Sequence, residues 1–313
     1  MFFKEHRKKL SSLITIYLIL IILFVVTSLI SPVFCSYENI SNILRQSASL
    51  GIVSIGQTFI LLLAGADLSV GAVVSLVTVL CATLMKDTFL TIFLSIILCL
   101  AIGTGIGFLN GILVSKGKFP GLIATLCMMV LIQGVSLLIM DSPGGYIPRS
   151  FGNFITSNFC FVPLPAIIFV LLFVIAIIIL RKTILGNYIY ATGGSGESAK
   201  LAGINVDRVN IFGFMICGFM AAVAGLVLVG RIRSGDPLIG TLLHLDSITA
   251  VILGGTSFVG GHGGVEGTIA GVLIISVLSN MLNLLNVSSF YQYIVKGLIL
   301  LVAVIIYSLR RER

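Results

Sequence analysis

The side chains in this sequence able to do chemistry gather at two glycine-broken polar stretches. Gly65-Ala-Asp-Leu-Ser-Val-Gly71 carries Asp67 and Ser69; Gly254-Gly-Thr-Ser-Phe-Val-Gly-Gly261 carries Thr256 and Ser257, with Asp246 ahead of it and His262 just after. The hydroxyls of Thr256 and Ser257 and the imidazole of His262 are neutral donors and acceptors that hold a polar solute weakly enough to release it, while Asp67 could contact substrate or an ion directly. Asp67 also reads as a cap for a helix starting near Ser69, where a carboxylate accepts orphan amides and complements the dipole. Asp246, beside Ser247, reads as the N-cap of the span before the second break. Catalysis has no support: no paired carboxylates, Ser/His/Asp set, HExxH or Cys/His cluster occurs at workable spacing. A G-x-x-x-x-G-K-[ST] phosphate loop is missing too, so any ATP hydrolysis belongs to another subunit. Cys35, Cys81, Cys99, Cys127, Cys160 and Cys217 are scattered and read as small core residues, not as a disulfide frame or metal site.

The elements that position these groups must lie in a bilayer. With 58% hydrophobic residues, 10% charged and a mean hydropathy of +1.19, the 313 residues do not fit a soluble globule. Unpaired backbone amides in hydrocarbon cost several kcal/mol, so polar breaks survive at membrane depth only where protein or a water-filled path satisfies them. Breaks in two halves of a chain point to a translocation path. The net charge of +8 sits in short clusters flanking apolar runs, which reads as membrane topology and not as a nucleic-acid surface.

Apolar runs predict an all-α polytopic fold of about ten spans with broken helices in a single domain, residues 1–313. The spans fall near 10–30, 48–64, 70–85, 89–114, 121–140, 162–180, 210–229, 247–259, 265–285 and 292–308. The run after Lys4-Glu-His-Arg-Lys-Lys9 is too long for a signal-peptide core and reads as an uncleaved first span. An even count puts both basic tails, 1–9 and 309–313, in the cytoplasm together with the long loop 181–209. Arg231 and Arg233 fall on the outer side beside Asp236, as interfacial anchors with a local counter-ion or as a partner contact or gate. Gly103, Gly107 and Gly111 share a helix face, the small-xxx-small pattern of close helix packing, and Gly218, Ala221, Ala222 and Gly225 continue it. A broken run ahead of a glycine-rich helix in each half suggests a weak internal inverted repeat.

Within 181–209, the short helix-prone segment Glu197 to Leu201 is bounded by Gly196 and Gly203, with Ser195 as a candidate N-cap. It reads either as a solvated connector or as a docking helix for a cytoplasmic motor.

Several stretches resemble the sugar-type ATP-binding-cassette permeases, closest to the ribose importers: Gln57-Thr-Phe-Ile-Leu, Gly65 to Gly71, Ile123-Ala-Thr-Leu126, Tyr188-Ile-Tyr-Ala, Leu201-Ala-Gly-Ile-Asn-Val206, Leu245 to Ser257 and Val287 to Gly297. The resemblance implies a monosaccharide permease of the inner membrane, in contact with membrane lipid, without a cofactor of its own. It also implies a second permease copy or paralogue, an ATP-binding cassette protein that holds ATP and Mg, and an extracytoplasmic sugar-binding protein. Glu197, Lys200, Leu201 and Gly203 would then belong to the helix that docks the ATPase, while Asp67, Ser69, Asp246, Thr256 and Ser257 would shape the path. The sequence departs from that family at His244, at Ser195-Gly196 and at Asp236, which bears on solute preference and on the match to a particular ATPase. An ion-coupled carrier or channel, with Asp67 as the ion site, is the competing class.

Overall fold

A computed structural model describes residues 2–288, 290–299 and 301, with side chains from residue 13 onward. Twelve helices are assigned: α1 (Phe2–Ile30), α2 (Tyr37–Leu62), α3 (Val70–Leu84), α4 (Phe89–Ser115), α5 (Gly121–Ile139), α6 (Arg149–Thr156), α7 (Leu164–Lys182), α8 (Ile184–Gly194), α9 (Gly196–Leu201), α10 (Val206–Ile232), α11 (Leu243–Leu253) and α12 (Val265–Leu284). Residues 290–299 are also helical. The strands β1 (Asn158–Phe159) and β2 (Val162–Pro163) form a short hairpin before α7.

Six helices are long and apolar enough to cross a membrane: α1 over Leu13–Ile30, α4, α5, α7, α10 and α12. Their packing divides them into two groups. Only 6% of the α1 window is buried, 22% of the α4 and α5 windows and 28% of the α7 window, against 61% for α10 and α12, so the first group lies on the outside of the chain and the second inside. α2 is buried on every side from Ser47 to Leu62 and packs on α7, α10, α11 and α12.

Hydropathy places some boundaries differently. The span expected at 48–64 begins at Tyr37, because Ser36 caps α2 by accepting from Asn39 N at 3.3 Å, and its first turns carry Glu38, Asn39, Asn42 and Arg45. The span expected at 247–259 is the eleven-residue α11 followed by an irregular loop, since its glycines end the helix at Leu253. Of the span expected at 292–308, residues 292–299 and 301 are helical, and 300 and 302–308 lie outside the described residues.

Glycines let α4 and α10 touch backbone to backbone. A Cβ added to Gly103 would fall 2.6 Å from Gly218 O, one added to Gly218 would overlap Gly103 O, and one on Gly107 would overlap Phe214 O. The small-residue faces expected on the two helices are therefore each other's partners, and Gly225 gives the same room to Val77 of α3. Gly218→Val is expected to destabilise the fold by about 1–3 kcal/mol, the cost of an overpacked contact. Gly105, with nothing within 4 Å of its added Cβ, is the control: Gly105→Ala leaves the thermal midpoint in detergent unchanged while Gly218→Val lowers it by several degrees.

Candidate functional site

The first break begins where α2 ends. Ala64 takes the left-handed conformation (φ 60°); its N–H reaches Leu61 O at 2.9 Å and Gly65 N–H reaches Ile60 O at 3.0 Å, a Schellman closure. The remaining orphan carbonyl, Leu62 O, accepts from Gly261 N–H at 2.9 Å. Gly261 belongs to the second break, so the two glycine-broken stretches meet.

Beyond Gly65 the backbone is held by side chains. Thr125 of α5 accepts from Leu68 N at 3.2 Å and donates to Ala66 O at 3.3 Å. Asp67 Oδ1 accepts from Ser69 N at 2.8 Å and from Ser69 Oγ at 2.6 Å, and Asn110 of α4 donates to Ser69 Oγ at 2.9 Å. Asp67 thus fastens the turn leading into α3, while the N-cap position is Ser69, which makes no side-chain cap bond. Asp67 is 1% exposed and Asn110 0%, yet Asp67 Oδ2 and Asn110 Oδ1 make no hydrogen bond.

The second break closes on itself. Ser257 N–H donates to His262 O at 2.9 Å, Gly264 N–H donates to Thr256 Oγ1 at 3.2 Å, and Ser257 Oγ accepts from Val259 N at 3.2 Å. Gly263 (φ 116°) lies so close to Thr256 that no Cβ fits. Thr268, one turn into α12, shares a 2.8 Å hydroxyl contact with Thr58 of α2.

α8 rests on the junction of the two breaks. A Cβ on Gly193 would overlap Leu62 O and fall 2.8 Å from Gly261 N. Tyr190 donates to Gly263 O at 2.9 Å. Burial first, then the nearby Glu266, push its phenol up to about 12, so the group remains a donor throughout the physiological range. Glu266, in the first turn of α12, pairs with Arg181 in the last turn of α7 at 2.5 Å, each at the end its charge favours. Tyr17 of α1 donates to Glu266 O at 3.1 Å.

α9 follows directly. Ser195 caps it, as expected, by accepting from Ser198 N at 3.2 Å. Gly203 (φ 83°) closes it through Gly203 N to Lys200 O at 2.9 Å and Ile204 N to Ala199 O at 3.0 Å. Ala199 is buried, while Glu197 and Lys200 are exposed and Leu201 is 86% exposed.

Two expectations are corrected. Asp246 is not an N-cap: Leu242 holds that position, and the Asp246 carboxylate accepts from Lys296 Nζ at 2.6 Å. Arg233 makes no ion pair with Asp236 among the described residues; it ends α10 in the left-handed conformation (φ 58°) and donates to Asn153 Oδ1 at 2.7 Å, while Asp236 Oδ1 accepts from Leu238 N at 2.8 Å.

A third irregular stretch, 233–242, runs down beside α3 and reads in sequence as an outer loop. Thr78 Oγ1 accepts from Asp236 N at 3.2 Å and donates to Asp236 O at 3.0 Å, Ser75 Oγ accepts from Gly240 N at 2.9 Å, and Gln133 donates to Pro237 O at 2.6 Å. Ser75, Thr78, Asn110, Thr125, Gln133, Tyr190 and Lys296 escaped sequence reasoning. For Ser75, Thr78, Asn110, Thr125 and Gln133 the available signal was a hydroxyl or amide side chain inside an apolar helix, and for Lys296 a charge inside an apolar run, each of which needs a partner there.

The chain is a multi-pass membrane protein whose helix breaks are held at depth by neighbouring polar side chains. Over residues 39–304 it matches the family described as the branched-chain amino acid transport system permease component, and it belongs to that family. It is 43% identical to the ribose import permease protein of Haemophilus influenzae over 92% of this chain and 91% of that one. It is 42% identical to the ribose import permease protein of Bacillus subtilis (92% and 90%) and 33% identical to the L-arabinose ABC transporter permease protein of Azospirillum brasilense (95% and 88%). No solved structure matches the chain.

Asp67→Ala removes the acceptor of both Ser69 bonds and is expected to cost about 1–3 kcal/mol of stability. Asp67→Asn keeps a carbonyl oxygen and is expected to cost markedly less in the same thermal unfolding measurement.

Proposed function

We propose that this chain is the permease subunit of an ATP-driven importer that passes a monosaccharide, ribose or a close relative, inward by alternating access. The observation that carries the reading is α9: a capped six-residue helix outside the spans, presenting Leu201 at 86% exposure just after the exposed Glu197 and Lys200 and joined through α8 to both breaks. An apolar side chain held out on a rigid turn suits an anchor for a partner's pocket. The partner is an ATP-binding cassette protein, in which ATP and Mg are bound. The names of the relatives, two ribose import permeases and an L-arabinose ABC transporter permease, support the solute class and, with it, an extracytoplasmic binding protein that delivers the sugar.

In this reading the spans number about ten: α1 to α5, α7, α10 to α12 and a last helix through 290–299. Both termini are cytoplasmic, on the side of α8 and α9; the basic tails support this. The order of α2, α3 and α4 (26, 15 and 27 residues) and of α10, α11 and α12 (27, 11 and 20) supports an inverted repeat, but one that sets 63–69 against 233–242 in place of the sequence-based match of 65–71 with 254–264. A second permease copy or paralogue completes the path in the plane of the inner membrane.

Asp67, Ser69, Thr256 and Ser257 shape the breaks and serve the path through backbone geometry. Glu197, Lys200, Leu201 and Gly203 carry motion from the ATPase. One observation favours an ion-coupled carrier instead: Asp67 keeps a buried carboxylate oxygen without a partner. The discriminating experiment is uptake by proteoliposomes. The importer requires ATP, the cassette protein and the binding protein; the carrier concentrates solute with this subunit alone and an ion gradient.

Leu201→Asp is expected to lower ATP-driven ribose uptake by at least about tenfold, equal to about 1.4 kcal/mol of docking free energy. Gly203→Val, which forces a β-branched residue to φ 83°, is expected to let ATP hydrolysis continue while uptake falls. Full uptake by both variants would count against docking at α9.

A further inference from the structure

The ion pair between Asp246 and Lys296 stands apart from the breaks. Packing gives its depth. α11 and α12 run antiparallel, with Gly254 against Gly267 and Ala250 against Gly271, so one more step of four residues sets Asp246 level with Ile275. At 1.5 Å per residue this is about 15 Å from the start of a helix roughly 30 Å long, near the bilayer centre. Lys296 reaches the same level from the helix at 290–299.

The pair is not sealed inside the protein. The two side chains keep 16% (Asp246) and 24% (Lys296) of their surface open, on a face that also carries Tyr293, 53% exposed and one turn from Lys296. A carboxylate and an ammonium at that depth are too costly to turn toward lipid, and such groups face a bundle interior or a water-filled cavity. A carboxylate accepts, an ammonium donates, and a tyrosine offers a ring face and a hydroxyl. A sugar hydroxyl both donates and accepts, so it can bridge the two charges, and a sugar ring carries C–H groups that pack on an aromatic face.

We propose that the α11 and 290–299 face lines the aqueous path, and that Asp246 and Lys296 form a mid-membrane contact site for a neutral polyhydroxylated solute. The bond between them opens as the solute's hydroxyls replace it. This rests on the importer reading and adds to it the residues that meet the sugar in the permease.

The test uses the complete complex, with its cassette and binding proteins, in proteoliposomes. Asp246→Asn and Lys296→Met each leave one charge without its partner and are expected to lower ribose uptake by at least about tenfold. The exchange Asp246→Lys with Lys296→Asp restores folding and ATP hydrolysis but not the wild-type preference between ribose and hexoses. Wild-type uptake and preference in all three would overturn the proposal. An independent arm keeps the pair intact: Tyr293→Cys in a background with Cys35, Cys127 and Cys160 replaced by serine. A membrane-impermeant cationic thiosulfonate is expected to label Cys at 293, more slowly while ribose is being transported. Labelling by a membrane-permeant maleimide alone would mean a lipid-facing or covered surface and overturn the proposal. If the unaltered complex takes up no sugar with ATP present, the importer reading fails, while the labelling arm still decides whether this face meets water.

Discussion

In hydrocarbon, every backbone amide released by a broken helix must find a partner within the protein. The rest of this structure depends on that constraint. The end of α2 releases four carbonyls, of which the local Schellman turn takes three and the second break takes the fourth, through Gly261 N–H to Leu62 O. Thr125, Ser75, Thr78 and Gln133 supply the bonds that the other irregular stretches need. The polar side chains of the apolar helices are therefore placed by the breaks they hold.

The breaks are also tied to α8 and, through it, to α9. α8 approaches Leu62 O and Gly261 closely enough to require glycine at position 193, and Tyr190 holds Gly263. A displacement of α9 must move α8, and α8 cannot move without disturbing both breaks. The Arg181 and Glu266 pair ties the ends of α7 and α12 to the same place. A shift of α9 would thereby be delivered to two irregular segments.

Much of this was legible in the residues. Composition alone defined the bilayer as solvent, the glycines of α4 and α10 announced close helix contact, and Ser195 with Gly203 marked both ends of α9. The N-terminal half of α2 was hidden because polar Glu38, Asn39, Asn42 and Arg45 lower the hydropathy of a helix that begins at a cap. The stretch 233–242 was hidden because its partners, Ser75 and Thr78, lie far upstream. Asp246 looked like a cap because local sequence cannot show Lys296 arriving from 50 residues away. The stretch 233–242 and Asp246 escaped because each depends on a pairing between distant segments, which no local pattern encodes.

We propose that α8, α9 and the two glycine breaks move as one mechanical unit under the cassette ATPase. Amide hydrogen exchange in the assembled complex, with and without a non-hydrolysable ATP analogue, tests it most directly. Protection is predicted to change together in 63–69, 188–203 and 254–264. A change confined to 196–203, with both breaks unaltered, would contradict the account.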